Sequence, residues 1–307
     1  MARDTAKLWI RRYEADGLKG VEQDRTRSGR PRKLTPTLEA GIVGWTVSEK
    51  PPPEVSTHWT SRLLAAAMGL NHVDIWRTWT KYGLKPHQVR RFKLSRDPRL
   101  IEKINDVVGV YLNPPANAVV FSFDEKSQIQ ALDRTQPGLP LKKGRAGTMT
   151  HDYKRHGTTT LFAALEIATG HVIQDCMPRH RHQELLRFIK TVERSVEPEL
   201  EIHVILDNYA THKHENVRRW LKRHPRVHFH FVPTGGSWLN LVEHFFGELD
   251  ERQLRRLAVS SVGELIDVIN AYIRNRNEDP TPFVWTKSAK KIIKKIKRGL
   301  KTLEAVH

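Results

Sequence analysis

Residues 118–124 read Ala-Val-Val-Phe-Ser-Phe-Asp, a β-branched and aromatic run that stops on an acid a few residues after Pro114-Pro115. Such a run, bounded by turn residues, predicts a strand. Working outward, residues 157–169 (GTTTLFAALEIAT) and 171–177 predict two more strands joined at Thr169-Gly170, which with the first make an antiparallel meander. A helix is expected over 182–196 and a fourth strand over 201–207 (EIHVILD). A helix over 213–223, a fifth strand over 227–232 (VHFHFV) and a long helix over 238–257 complete the series.

Three strands followed by α, β, α, β, α is the order of an α/β, ribonuclease-H-like mixed sheet. Asp124 and Asp207 each close an apolar strand, and ligands of open α/β sheets bind at the carboxyl ends of strands. Alternation sets Val120, Ser122 and Asp124 on one face, where a buried acid requires a cation. A third acid, Glu243, lies on the last helix. There Leu239, Val242, Phe246 and Leu249 form an apolar stripe, extended by Trp238, Leu241 and Phe245, with Asn240 and Gly247 one turn to either side of the acid. Glu248, Asp250 and Glu251 read as solvated charge. Carboxylate oxygens suit hard ions such as Mg²⁺ or Mn²⁺, and a pair of such ions activates the attacking oxygen and stabilises the leaving one in phosphoryl transfer.

The chain ahead of the sheet reads as helical and basic. Leu8, Trp9 and Tyr13 mark the tail of a helix over 3–17, stopped by Gly17. Residues 24–36 form a polar linker around Gly29-Arg30-Pro31-Arg32, which resembles the AT-hook, an arm that lays arginines in a minor groove; Arg27, Arg30, Arg32 and Lys33 are its candidate DNA contacts. Over 37–95 three helices are expected: one carrying Leu38, Ile42 and Trp45, one over 57–68, and one over 72–82 with Val73, Trp76 and Trp79 on one side. The turn Gly69-Leu70-Asn71 between the last two gives a helix-turn-helix pattern, whose second helix would present Arg77 and Lys81 to a major groove. An ordinary three-helix bundle with solvated charges is the competing reading. Arg90, Arg91 and Lys93 lie in the basic connector that follows, and residues 96–116 hold a further helix.

Fifty-two Lys and Arg against 34 Asp and Glu give a formal charge of +18 over 307 residues. The charge is concentrated at the ends: residues 1–100 carry 20 basic against 10 acidic side chains, 101–285 carry 24 against 23, and 286–307 carry 8 against 1. A polyanion held by both termini explains this, because neutralising phosphates releases counterions. The single cysteine, Cys176, excludes an intrachain disulfide and a cysteine-based zinc site, and points to a reducing, cytoplasmic setting. No segment has the apolar length of a membrane span, so no membrane partner is expected. The carboxyl-terminal helix in 286–307 sets Ile292, Ile293, Ile296, Leu300 and Leu303 against Lys291, Lys294, Lys295 and Arg298. DNA backbone or a partner subunit is its expected contact, ahead of a membrane surface. Among 16 histidines, His228 and His230 would share a strand face suited to zinc, but no third ligand stands at a fixed spacing.

Three stretches carry a family resemblance: Phe123-Asp124-Glu125-Lys126-Ser127-Gln128, Leu206-Asp207-Asn208-Tyr209-Ala210-Thr211-His212-Lys213, and Pro233-Thr234-Gly235-Gly236-Ser237-Trp238-Leu239-Asn240-Leu241-Val242-Glu243. Together they closely resemble bacterial insertion-sequence transposases of the mariner superfamily, including the 35 residues between the second and third acids. The resemblance spans almost the whole chain. It implies a DDE-type nuclease and strand transferase over 117–285, using two Mg²⁺ or Mn²⁺ on Asp124, Asp207 and Glu243. Glu125, Asn208, His212, Trp238 and Asn240 lie in its motifs as supporting residues. It further implies a nucleoid-associated enzyme, acting as a homodimer on double-stranded DNA with terminal inverted repeats and a TA target. A catalytically silent or domesticated DNA-binding descendant is the alternative. Relatives carry two more helices in front, so residues 1–23 are expected to be a remnant of a first helix-turn-helix.

Overall fold

Strand pairing follows from where the apolar runs fall. The computed structural model describes residues 3–22, 33–89 and 95–304, in two units divided between Phe92 and Lys93. In the second unit five strands form one mixed sheet in the order β3-β2-β1-β4-β5. Strands β1 (Ala118–Arg134), β2 (Tyr153–Glu166) and β3 (Val172–Met177) run antiparallel, while β4 (Glu201–Leu206) and β5 (Val227–Phe231) add parallel to β1. The turn between β2 and β3 depends on Gly170: its φ is +80°, and a Cβ there would strike the backbone of Thr281.

Alternation along the strands divides the core into two layers. One face carries Val120, Ile205 and Val232 against α6 (Leu100–Leu112), α9 (Val242–Arg252), α10 (Val262–Glu278) and α11 (Ala289–Glu304). The other carries Phe121, Phe123 and Phe162 against α7 (His182–Arg194) and α8 (Glu215–Arg223). This α/β/α sandwich is the mixed-sheet, ribonuclease-H-like architecture expected.

Three expectations for this unit need correction. β1 does not end at Asp124: it continues as a two-stranded ribbon with β2 as far as Arg134↔Tyr153, because β2 goes on supplying backbone partners after β4 has stopped. The helix expected over 238–257 is broken. Asn240 is extended (φ −90°, ψ 107°), which separates a 3₁₀ turn at Ser237–Leu239 from α9, and Trp238 is 47% exposed rather than part of the buried stripe. The isoleucine part of the α11 stripe is covered by its own chain: Ile292 is buried, Ile293 and Ile296 pack on the first core layer, and the helix contacts α6, while Leu300 is 40% exposed. Its Lys291, Lys294, Lys295 and Arg298 remain exposed.

The first unit contains α1 (Arg3–Asp16), α2 (Leu18–Glu22), α3 (Pro36–Ser48), α4 (Ser61–Met68) and α5 (His72–Tyr82). Thr35, Thr60 and Asn71 cap α3, α4 and α5 through side-chain acceptors. Gly69, left-handed at φ +65°, turns α4 into α5. Ile42, Trp59, Leu64, Ala65, Ile75 and Trp79 form its core. The inward face of α5 is therefore Ile75, Thr78 and Trp79, whereas Trp76, read from sequence as part of that face, is 58% exposed beside Arg77. Positions 75, 78 and 79 follow the i, i+3, i+4 helical spacing; 73, 76 and 79 drift off it.

Candidate active site

The site is assembled where the parallel part of the sheet stops. Asp124 stands two residues beyond the last β1–β4 pair, Ser122↔Ile205. Its Oδ1 accepts the Glu125 backbone N–H at 2.8 Å and its Oδ2 accepts the Asn240 amide at 3.2 Å. Burial, then the neighbouring negative charges of Glu125, Asp207 and Glu243, push this carboxyl up to about 8 against one local backbone hydrogen bond.

Asp207 follows β4 directly, at the head of a loop that runs into a 3₁₀ turn at Ala210–Lys213. Its Oδ1 accepts the Tyr209 backbone N–H at 2.9 Å and His212 Nδ1 at 3.0 Å. His212 is wholly buried, and its other nitrogen, Nε2, donates to Glu125 Oε1 at 3.0 Å. Burial opposes a charge on this ring. The bonds to Asp207 and Glu125 outweigh it and raise the imidazolium to about 10. Asp207 gains in turn: burial would raise its carboxyl, but His212, the Tyr209 N–H and Lys213 hold it below the ordinary range.

Glu243 occupies the first turn of α9, where the helix dipole favours a carboxylate. Burial raises it, Lys126 opposes, and Asp207 adds to the rise. Asn240 links this helix start to β1. Its amide donates to Phe123 O at 2.9 Å and to Asp124, and its Oδ1 accepts the Ser122 hydroxyl. Ser122 Oγ accepts the Val242 N–H at 2.9 Å. Tyr111 on α6 completes the joint, donating to Leu239 O at 2.9 Å and accepting the Leu241 N–H at 3.3 Å. The buried backbone ends of the broken helix are thus satisfied by side chains.

Asp124, Asp207 and Glu243 are brought close enough to act electrostatically on one another. Glu125, His212 and Asn240 touch them directly or through one bond. Asn208 stands one step away, donating to Val232 O at 2.5 Å and accepting Lys213 Nζ at 2.6 Å, so it ties the ends of β4 and β5. Trp238 faces outward and bonds to none of these groups. Of the acids read as solvated charge, Glu248 pairs with Arg252 at 2.9 Å and Asp250 lies 3.5 Å from Lys126.

Residues outside the expected set also border the site. Ser122 and Tyr111 hold its scaffold, and Lys126 acts on Glu243; alternation with Asp124 was the available signal for Ser122. Beside Asp207 an open cleft of about 610 Å³ is lined by Gln128, Arg179, His180, Arg181, His182, Tyr209 and His214 among others. Gln128 has a left-handed φ of +56° at a bulge in β1, a strained conformation of the kind held at functional surfaces. In the first unit, Lys33 and Arg77 are exposed, with Arg77 3.8 Å from Asp74, while Lys81 is paired with Glu39. Arg27, Arg30, Arg32, Arg90, Arg91 and Lys93, with the AT-hook-like segment, lie outside the described residues.

Residues 119–266 match the DDE superfamily endonuclease family, and residues 5–92 match the homeodomain-like domain family. A Shigella sonnei protein described as insertion element IS630 uncharacterized 39 kDa protein is 22% identical over 292 residues, covering 92% of this chain and 82% of its own. The fold is also that of a pre-cleavage Mos1 transpososome (TM-score 0.63, 14% identity, 91% of this chain and 82% of that one). The Mos1 mariner paired end complex with Mn is similar at TM-score 0.60 and 14% identity, over 90% of this chain and 81% of that one. The chain thus carries a DDE superfamily endonuclease domain behind a homeodomain-like domain, and over nearly its whole length it is similar to an insertion element IS630 protein.

Proposed function

We propose that the chain is a DNA transposase that cuts at its element's ends and joins the freed 3′-hydroxyls to target DNA at TA, with Asp124, Asp207 and Glu243 holding two Mg²⁺ or Mn²⁺ ions. The observation that carries the reading is the Asp124 carboxyl. A buried acid bonded to Asn240 and crowded by three other carboxylates cannot ionise cheaply by itself, and its oxygens are the donors a hard divalent cation prefers. Such ions, when bound, would activate the attacking oxygen and stabilise the leaving one.

The protein's own part is positioning. Asn240 aims Asp124 and fixes the start of α9. His212 orients the Asp207 carboxylate by a direct hydrogen bond and anchors it to Glu125. Arg179 in the neighbouring cleft supplies positive charge for the phosphate backbone, which sets register on DNA without reading sequence, while Arg181 beside it is paired with Glu184 at 2.6 Å. In the first unit α5 is the candidate reader of the element end, with Arg77 and Trp76 outward. Two ends to be cut call for a symmetric homodimer.

The test is nicking of double-stranded DNA bearing the element's terminal inverted repeats, with Mg²⁺ or Mn²⁺. Wild type is expected to nick, and Asp207→Ala to lose at least about 10³-fold in rate. Equal cutting by both would sink the catalytic assignment. Absence of cutting by wild type, with end-specific binding intact, would instead identify a silent descendant.

A further inference from the structure

We propose that Glu201, His203 and His228 form a binding site for a Zn²⁺-class ion at the end of the sheet opposite the acidic triad. Glu201 and His203 lie in the first half of β4 and Asp207 follows its close, so four to six residues of strand, roughly 13–20 Å, separate the two places. No fixed spacing along the chain marks such a site. It is made by the parallel register, which sets His203 beside His228 across β4 and β5.

One ligand atom from each of the three residues lies within 4.8 Å of the others. Glu201 Oε2 is 3.4 Å from His203 Nε2 and 3.8 Å from His228 Nε2. His228 Nε2 is buried and has no hydrogen-bond partner, an uncompensated cost unless something unseen satisfies it. Two imidazoles and a carboxylate make a three-ligand set with an open fourth position, the donor chemistry of zinc rather than magnesium.

The surroundings follow the pattern of a metal-bound histidine. His203 Nδ1 lies 2.8 Å from His230 Nε2, and His230 Nδ1 lies 2.9 Å from Asp106 Oδ1 on α6. A carboxylate behind the imidazole of a ligand is what fixes its tautomer and ring orientation. Proton counting agrees. The row Glu201, His203, His230, Asp106 contains three polar contacts, while two neutral imidazoles carry only two N–H groups. With His230 donating to Asp106 and His203 donating to His230, His203 Nε2 turns a lone pair toward the Glu201 carboxylate. A cation between them resolves that conflict; the competing solution is one extra proton.

The experiment is equilibrium dialysis of the full-length protein against Zn²⁺, with Co²⁺ spectra as a second readout of imidazole ligation. Asp207→Ala is run in parallel because the triad can also take up divalent ions. Wild type is expected to bind one more Zn²⁺ per chain than His228→Ala, Asp207→Ala to bind one more than the Asp207→Ala/His228→Ala double variant, and Asp106→Asn to weaken that ion by about 10–100-fold. Glu201→Gln, at an exposed carboxylate, repeats the test without disturbing the core. Equal zinc content in wild type, His228→Ala and Glu201→Gln would overturn the proposal and leave the row held by a proton.

Discussion

Asn240 is buried and makes three hydrogen bonds that join a strand, an acid and a helix start. Asn240→Ala would strip the Ser122 hydroxyl and the Phe123 carbonyl of their partner, and leaving buried polar groups unpaired costs about 1–3 kcal/mol. Urea unfolding followed in the catalytic domain should register that loss, and nicking should fall with it because Asp124 loses its orienting donor. No change in either would remove Asn240 from the positioning role. A second residue, Asp97, ties the loop before α9 to α6. Its carboxylate accepts Lys103 Nζ at 2.7 Å, the Thr234 N–H at 3.0 Å and the Arg99 N–H at 2.9 Å. Burial opposes its ionisation, but these donors prevail and hold the carboxyl at about 2. A folded-state value below the unfolded one means stability that is present above about pH 4 and lost as pH falls toward 2, on the order of 2 kcal/mol. Asp97→Asn should therefore lower unfolding free energy near pH 6, with the gap from wild type narrowing below about pH 4 and mostly gone by about pH 2. A gap unchanged over that range would refute the assignment.

At the level of elements, α5 separates a core face from a working face. Ile75→Ala opens a cavity in the small first-unit core and should cost about 2–5 kcal/mol, seen as loss of helical signal from that unit on mild heating. Trp76→Ala, at an exposed position, should change stability by no more than about 0.5 kcal/mol yet weaken binding to element-end DNA. Reversal of the two effects would mean the helix is turned the other way. The same helix shows where reading from sequence reached its limit. Three aromatic or branched residues at three-residue spacing resembled a face, but 3.6 residues per turn selects 75, 78 and 79. The strands were more legible, because alternation and β-branched runs are local properties, and Asp124 and Asp207 could be named as candidates from their ends. The continuation of β1 to Arg134 was not, since it depends on pairing with a strand about 30 residues away. The Glu201, His203 and His228 cluster is likewise a product of register between strands.

For the whole molecule, the excess charge belongs to the terminal segments, and α11 shows how one helix can serve two demands. Its isoleucines close the core while Lys291, Lys294, Lys295 and Arg298 face outward. Engagement of about six phosphates by these segments would weaken DNA binding by about 10³-fold between 50 and 200 mM salt. Fluorescence anisotropy across that range measures the slope, and a flat response would exclude a backbone-contact role for the basic ends.

The way Asn240 joins β1 to α9 also bears on how such a chain tolerates length change over evolution. Between Asp124 and Asp207 the distance is set by strand register, so residues can be gained or lost in the 135–152 connection without moving either acid. Between Asn240 and Glu243 there is no such slack. One residue inserted there would swing the Glu243 carboxylate by about 100° around the helix axis, away from both aspartates, while leaving the rest of the sheet intact.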